Sequence, residues 1–258
     1  MSSLQSKNKP LPLAGRRVLV TGGHKRIGQV ASLLCGRMGA DVVVHYREDA
    51  AAAAQTVAEL LQLQVRAVCV HAELTDSAQV ADLIRKSVEA LGGLDTLIVA
   101  AASFERTPIR QCDAAAIDRN LHNNARAPVD LILQSRMALT KNRLGRVIVF
   151  GDLAAQKPLK DYVAHSMAKA ALHAAVLALA AELAPQIAIN AIVPGAVLQP
   201  APMSEETWQN ILAKVPMGVQ LQRDPRAGVQ AIEQALAFFL TAGAFVSGVL
   251  LPIHGAEK

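Results

Sequence analysis

The sequence predicts an α/β fold: one doubly wound domain with a seven-stranded parallel sheet flanked by helices. Three observations carry that expectation. Short apolar runs of β type alternate with amphipathic helical stretches along almost the whole chain, the pattern of a parallel sheet with crossover helices. The first run, Arg17-Val-Leu-Val-Thr21, ends in a glycine turn and opens directly into the helical spacing of Ile27, Val30, Ala31 and Leu34. Of the 258 residues, 52% are hydrophobic and only 3% aromatic, so one large core of Ala, Val, Leu and Ile can be filled.

Taken in order, strands are expected at 17–21, 41–46, 66–71, 95–100, 146–151, 187–193 and 246–252. Helices are expected at 27–38, 50–63, 77–91, 114–139, 162–184, 205–213 and 226–241. The Ala run at 50–54 reads as the start of the second helix, and Asp224-Pro225 places an N-cap before a proline at the first helical position. Residues 1–14 are polar and contain proline, so a flexible N-terminal tail is expected, with 15–258 as a single domain. Within that domain, 196–225 holds Pro200, Pro202, Met203, Trp208, Met217 and Gly218 at the carboxyl end of the strands, where a substrate lid belongs.

Composition excludes several classes. Cys35, Cys69 and Cys112 are odd in number and lack metal-ligand spacing, so neither a disulfide framework nor a metal site is expected, and a reducing, cytoplasmic setting is. The longest apolar stretch, Ala168 to Ala184, carries Lys169, His173 and Glu182, which argues against a membrane span. The net charge of +5 comes from scattered Lys and Arg without interleaved aromatics, so no nucleic-acid partner is expected.

The chemistry begins at the first turn. A strand, a tight glycine turn and a helix N-terminus aim unpaired N–H groups and the positive helix end at one point, and a pyrophosphate fits there. Gly22 supplies the turn, Gly28 permits close helix packing, and Lys25, Arg26 and Ile27 lie between them. After the second strand a bound dinucleotide presents its adenosine ribose. The tip there is His45-Tyr46-Arg47, so Arg47 and Arg26 are expected to converge with Lys25 and His45 in a cationic pocket for a 2′-phosphate, although Glu48 and Asp49 follow at once.

Thr21-Gly-Gly-His-Lys-Arg-Ile-Gly28, Asn124-Ala-Arg-Ala-Pro128, Ser166-Met-Ala-Lys-Ala-Ala-Leu172 and Asn190-Ala-Ile-Val-Pro-Gly195 occur in the order found in short-chain dehydrogenases/reductases. The chain resembles that family from about Arg16 to Gly255, and the resemblance implies a Rossmann-type domain. Arg26 in place of a loop glycine, His45-Tyr46-Arg47 and Asp152 resemble the pteridine reductase branch, whose members use NADPH to reduce pterin or folate rings. The resemblance implies NADPH contacts from Glu73, Leu74, Ala100, Ala101, Lys169, Pro194 and Gly195, and a catalytic set of Asn124, Asp152, Tyr162, His165 and Lys169. It also implies a homotetramer or homodimer paired through 114–139 and 162–184.

Departures define the open questions. Val99-Ala-Ala-Ala-Ser103 replaces the family's Asn-Asn-Ala motif, and the C-terminal Asp-Gly-Gly becomes His254-Gly255-Ala256. The usual tyrosine four residues before Lys169 is His165; Tyr162 stands three residues earlier, giving the Tyr-x6-Lys spacing of enoyl reductases in the same superfamily. Hydride transfer needs a proton donor, and either Tyr162 or His165 fits, Tyr162 being favoured because a phenol keeps its proton at cellular pH. In the family, Asn124 interrupts its helix and holds a water beside the lysine. The expected function is NADPH-dependent reduction of a C=N, C=C or C=O bond in a small molecule. The alternatives are an enoyl-thioester reductase and a cofactor-binding homologue without catalysis.

Overall fold

The seven strands form one all-parallel sheet in the order β3-β2-β1-β4-β5-β6-β7 in the structure, a computed structural model that describes residues 10–141, 144–200 and 203–257. The strands are β1 (Arg17–Thr21), β2 (Asp41–Tyr46), β3 (Ala67–His71), β4 (Thr96–Val99), β5 (Gly145–Phe150), β6 (Ile187–Pro194) and β7 (Leu250–Ile253). Helices α1 (Arg26–Arg37), α2 (Ala50–Gln62) and α9 (Ala227–Thr241) cover one face. Helices α3 (Ser77–Leu91), α5 (Ala127–Leu139) and α6 (Val163–Glu182) cover the other, with α4 (Ala114–Leu121) leading into α5 and packing on α6.

Alternation along each strand divides the core between the faces. Leu19, Leu97, Val147 and Ile189 pack with Leu131, Leu172 and Val176 on the α5–α6 side. Val18, Val20, Ile98 and Ile148 pack with Ile232 and Phe239 on the α1–α9 side. Strand order reverses between β1 and β4, which opens a crevice at their carboxyl ends, the place where open α/β sheets bind ligands. α6 is long and apolar enough to cross a membrane by composition, yet half of it is buried against this sheet and it carries Lys169 in its packed face.

The structure departs from the expected elements at five points. The run 246–252 is a strand only from Leu250, because Gly248 turns in the left-handed region at φ +76. Helix 114–139 is broken by a π turn at His122–Arg126, centred on the buried Asn124. α7 (Glu205–Leu212) is followed by a short α8 (Gly218–Arg223) within 196–225, the stretch expected as a lid, and the sequence did not signal this second helix. α6 begins at Val163, with Tyr162 as its N-cap residue. Of the expected tail, residues 1–9 lie outside the described residues, as does Pro202. Leu13, by contrast, is packed in the core, 3% exposed, with its N–H bonded to the Met38 carbonyl at 2.8 Å.

Candidate active site

The turn after β1 is as tight as its glycines suggest. Gly22 has φ +60, and a Cβ there would lie 3.2 Å from Ala101 Cα; a Cβ on Gly28 would overlap the Gly22 carbonyl. Thr21 Oγ1 accepts the N–H groups of Ala100 and Ala101 at 3.0 and 3.1 Å, fastening the end of β1 to the end of β4. Ile27 packs on the α1–α9 core. A cradle that strains a side chain at Gly22 and leaves no room for one at Gly28, with the α1 N-terminus above it, fits the pyrophosphate of a dinucleotide. His24 lies in the same loop, 5% exposed, with neither ring nitrogen bonded to protein.

The expected cationic pocket is corrected in two respects. His45 is buried, accepts the Gly22 N–H on Nδ1 at 3.1 Å, and donates from Nε2 to the Ala72 carbonyl at 3.0 Å. Burial pushes its pKa down to about 4, so it is a neutral brace rather than a cation. Arg26 takes the place of a loop glycine in backbone as well as in sequence, at φ +50. Its guanidinium then reaches away to the carbonyls of Gln199 and Leu198, at 3.1 and 3.3 Å, instead of converging with Arg47. Arg47 is half-exposed and bonded to Glu48 at 2.6 Å, with Glu73 at 3.8 Å; Lys25 is exposed. Tyr46 lies edge-on between the rings of His24 and His71. Glu73 accepts the Thr75 N–H at 3.0 Å, and Leu74 packs against the α5–α6 core.

Three turns of α6 grip the end of β5. His165, Lys169 and His173 are spaced four apart and therefore share a face. His165 Nε2 lies 3.2 Å from Asp152 Oδ2, Lys169 Nζ donates to the Phe150 carbonyl at 3.1 Å, and Asp152 N–H donates to His173 Nε2 at 3.3 Å. All three α6 side chains are buried. Burial pushes the Asp152 carboxyl up, but the His165 bond, the Ala154 N–H at 2.8 Å and the Lys169 charge outweigh it and hold it below the usual range. Burial pushes Lys169 down, opposed by Asp152. Burial and Lys169 together push His173 down.

Asn124 sits in the π turn, 1% exposed. Oδ1 accepts the Ser103 N–H and Nδ2 donates to Ser103 Oγ, both at 3.0 Å, so both polar ends of the side chain are used by the loop after β4. That loop also delivers Phe104, which stacks on Tyr162 with centroids 4.4 Å apart and meets His165 edge-on at 4.9 Å. Thr107 N–H donates to the Asp161 carbonyl at 2.7 Å and Arg106 pairs with the Asp161 side chain at 2.6 Å, tying the loop to the start of α6. Tyr162 and His165 are thus brought together under one aromatic ring.

On the far side, Gly195 N–H donates to the Ile253 carbonyl at 3.0 Å, and a Cβ on Gly195 would come within 2.8 Å of His254 Cβ. Pro194 precedes it at the end of β6. Gly255, in the departed C-terminal motif, accepts the Met217 N–H at 3.0 Å and so holds the segment between α7 and α8 to the chain after β7. Phe104, His173 and His24 were missing from the sequence-based set. The position of Phe104 beside Ser103, and the repeat of His173 four residues after Lys169, were the signals available.

The fold and this cluster define a nucleotide-binding α/β oxidoreductase. The sequence profile of the short chain dehydrogenases matches residues 16–211, and the chain belongs to that family, whose members use nicotinamide cofactors. It is 30% identical over 242 residues, 92% of this chain and 85% of the other, to 1-cyclohexenylcarbonyl-CoA reductase of Streptomyces collinus. Among solved structures it is similar to a short chain dehydrogenase from Burkholderia cenocepacia in complex with NADP, at 27% identity and a TM-score of 0.85, covering 95% of this chain and 99% of that one. It is also similar to FolM alternative dihydrofolate reductase 1 from Brucella suis in complex with NADP, at 25% identity and a TM-score of 0.85, covering 95% and 96%.

Proposed function

We propose that the protein is an NADPH-dependent reductase of a small planar molecule, nearest in chemistry to the pteridine reductases. The observation that carries this reading is the cluster at the end of β5, where Lys169 is buried beside a carboxylate already bonded to His165. The sequence likeness to the pteridine branch and the similarity to a dihydrofolate reductase in complex with NADP support it. In this reading Gly22, Lys25, Arg26, Ile27, Gly28, Tyr46, Arg47, Glu73, Leu74, Ala100, Ala101, Pro194 and Gly195 belong to the segments that would hold the cofactor, and Lys169 would take its nicotinamide ribose hydroxyls. When bound, the reduced nicotinamide supplies the hydride.

The chain's own task is to supply and orient a proton. His165 turns one nitrogen to the Asp152 carboxylate, and its other nitrogen is buried without a partner. In this reading the His165 Nε2–H is the proton that points to Asp152. Tyr162 is half-buried at the mouth, and its phenol is the group free to protonate the reduced substrate. In this reading Asp152 and His165 orient the site, while Asn124 fixes the loop that carries Phe104.

A second reading, an enoyl-thioester reductase, is favoured by the Tyr162–Lys169 spacing and by the relative named as a cyclohexenylcarbonyl-CoA reductase. Oxidation of NADPH by the purified protein, followed by absorbance with dihydropteridines, quinonoid compounds, enoyl thioesters and simple carbonyls, separates them. Fastest turnover on dihydropteridines is expected. Preference for enoyl thioesters moves the assignment to the second reading, and tight NADPH binding without any turnover identifies a cofactor-binding homologue.

A further inference from the structure

His173 is a buried titratable group that no step above uses. It lies one turn beyond Lys169 and 6% exposed, and its Nε2 accepts the backbone N–H of Asp152. The contact is built from both sides. Gly151 lies flat against the imidazole, and any Cβ at that position would overlap Nε2, so the missing side chain at 151 is what lets the ring reach β5. An acceptor nitrogen requires the neutral ring, because a proton on Nε2 would face the Asp152 N–H. Buried and beside the Lys169 ammonium, His173 is kept neutral against the opposing pull of Asp152.

We propose that His173 is a positioning residue: it holds the backbone of Asp152 so that the carboxylate stays turned to His165. The proposal rests on the role given to Asp152 above. His173 acts through Asp152 alone, and a leucine of similar bulk would fill its space without accepting a hydrogen bond.

The test compares His173→Leu with His173→Gln, whose amide oxygen can still accept. The first readout is the nitrogen NMR signal of the His165 imidazole in protein without cofactor or substrate. His173→Leu is expected to shift it away from the carboxylate-bonded form and His173→Gln to keep it. The second readout is the kinetic split, with kcat lowered about 10-fold in the leucine variant, KM for NADPH within twofold of wild type, and most of the rate restored by glutamine. If His173→Leu does not fold, Gly151→Ala, which pushes the ring off Asp152 N–H, is expected to give the same His165 shift. An unchanged His165 signal in the leucine or Gly151→Ala protein overturns the proposal, as does equal impairment in leucine and glutamine variants. Because the NMR readout needs no turnover, absence of reductase activity would remove the functional reading while leaving the His173–Asp152 contact testable.

Discussion

The Arg26 guanidinium donates to the Gln199 carbonyl at 3.1 Å, joining the first turn of α1 to the segment after β6 across 173 positions of sequence. The same residue holds the left-handed backbone of a glycine. Arg26→Gly relieves that backbone and removes both bonds to the Leu198 and Gln199 carbonyls. Overall stability is expected to change by less than about 1 kcal/mol, while limited proteolysis within 196–225 becomes several-fold faster. Unchanged cleavage would show that the arginine does not restrain this segment.

Arg47 follows β2 as an exposed cation, paired with Glu48 and facing Glu73. A 2′-phosphate would exchange that exposed pair for charge-assisted bonds. NADPH is expected to bind at least about 10-fold more tightly than NADH, and Arg47→Ala to erode most of the difference. Calorimetric titration giving equal affinities for the two cofactors would contradict this.

The neutral brace at His45 ties stability to pH. Its folded pKa of about 4 lies below the ordinary 6.5, so the unfolded chain binds more protons between those values and stability rises with pH there. The contribution is fully present above about pH 6.5 and declines as pH falls toward 4. One such histidine accounts for about 2 kcal/mol lost between pH 7 and pH 5, and burial pushes His24 and His173 in the same direction. Urea unfolding at the two pH values checks it: the wild type is expected to lose this amount and His45→Asn clearly less. A flat wild-type response would contradict the assignment.

Met137 on α5 and Met167 and Leu177 on α6 are exposed on the outer face of the helices that flank Lys169. Exposed apolar surface of this kind is expected to be covered by a second copy of the chain. Light scattering at micromolar concentration should give a dimeric or tetrameric mass, and a monomeric mass would contradict it.

The fold was legible because its cause is local and repeated. Apolar runs such as Val42-Val-Val44 and Ile187-Ala-Ile189, rich in β-branched residues, read as strands buried on both faces, and the glycine turn at Gly22–Gly28 marks where the first strand meets its helix. The break at Asn124 was implied only by the family resemblance, since the pattern over 114–139 reads as one helix, and the π turn sits on it. Side-chain direction was not. Nothing in the order His45-Tyr46-Arg47 tells that the imidazole turns inward to the Gly22 N–H while the guanidinium stays at the surface. Arg26 was assigned to the phosphate pocket because its sequence neighbours are there, yet its partners come from a segment far along the chain. Phe104 over Tyr162 and His165 depends on how the loop after β4 is pinned by Asn124 and Asp161, contacts that no spacing rule contains.

The most direct measurement is the pH profile of NADPH oxidation for the wild type, Tyr162→Phe and His165→Gln. With Tyr162 as donor, the wild-type rate stays level through the neutral range, Tyr162→Phe falls by roughly 10²-fold or more, and His165→Gln keeps the shape of the profile at a lower rate. A wild-type rate that declines as pH rises through the neutral range, with activity retained in Tyr162→Phe and abolished in His165→Gln, would contradict the account and make the imidazole the acid.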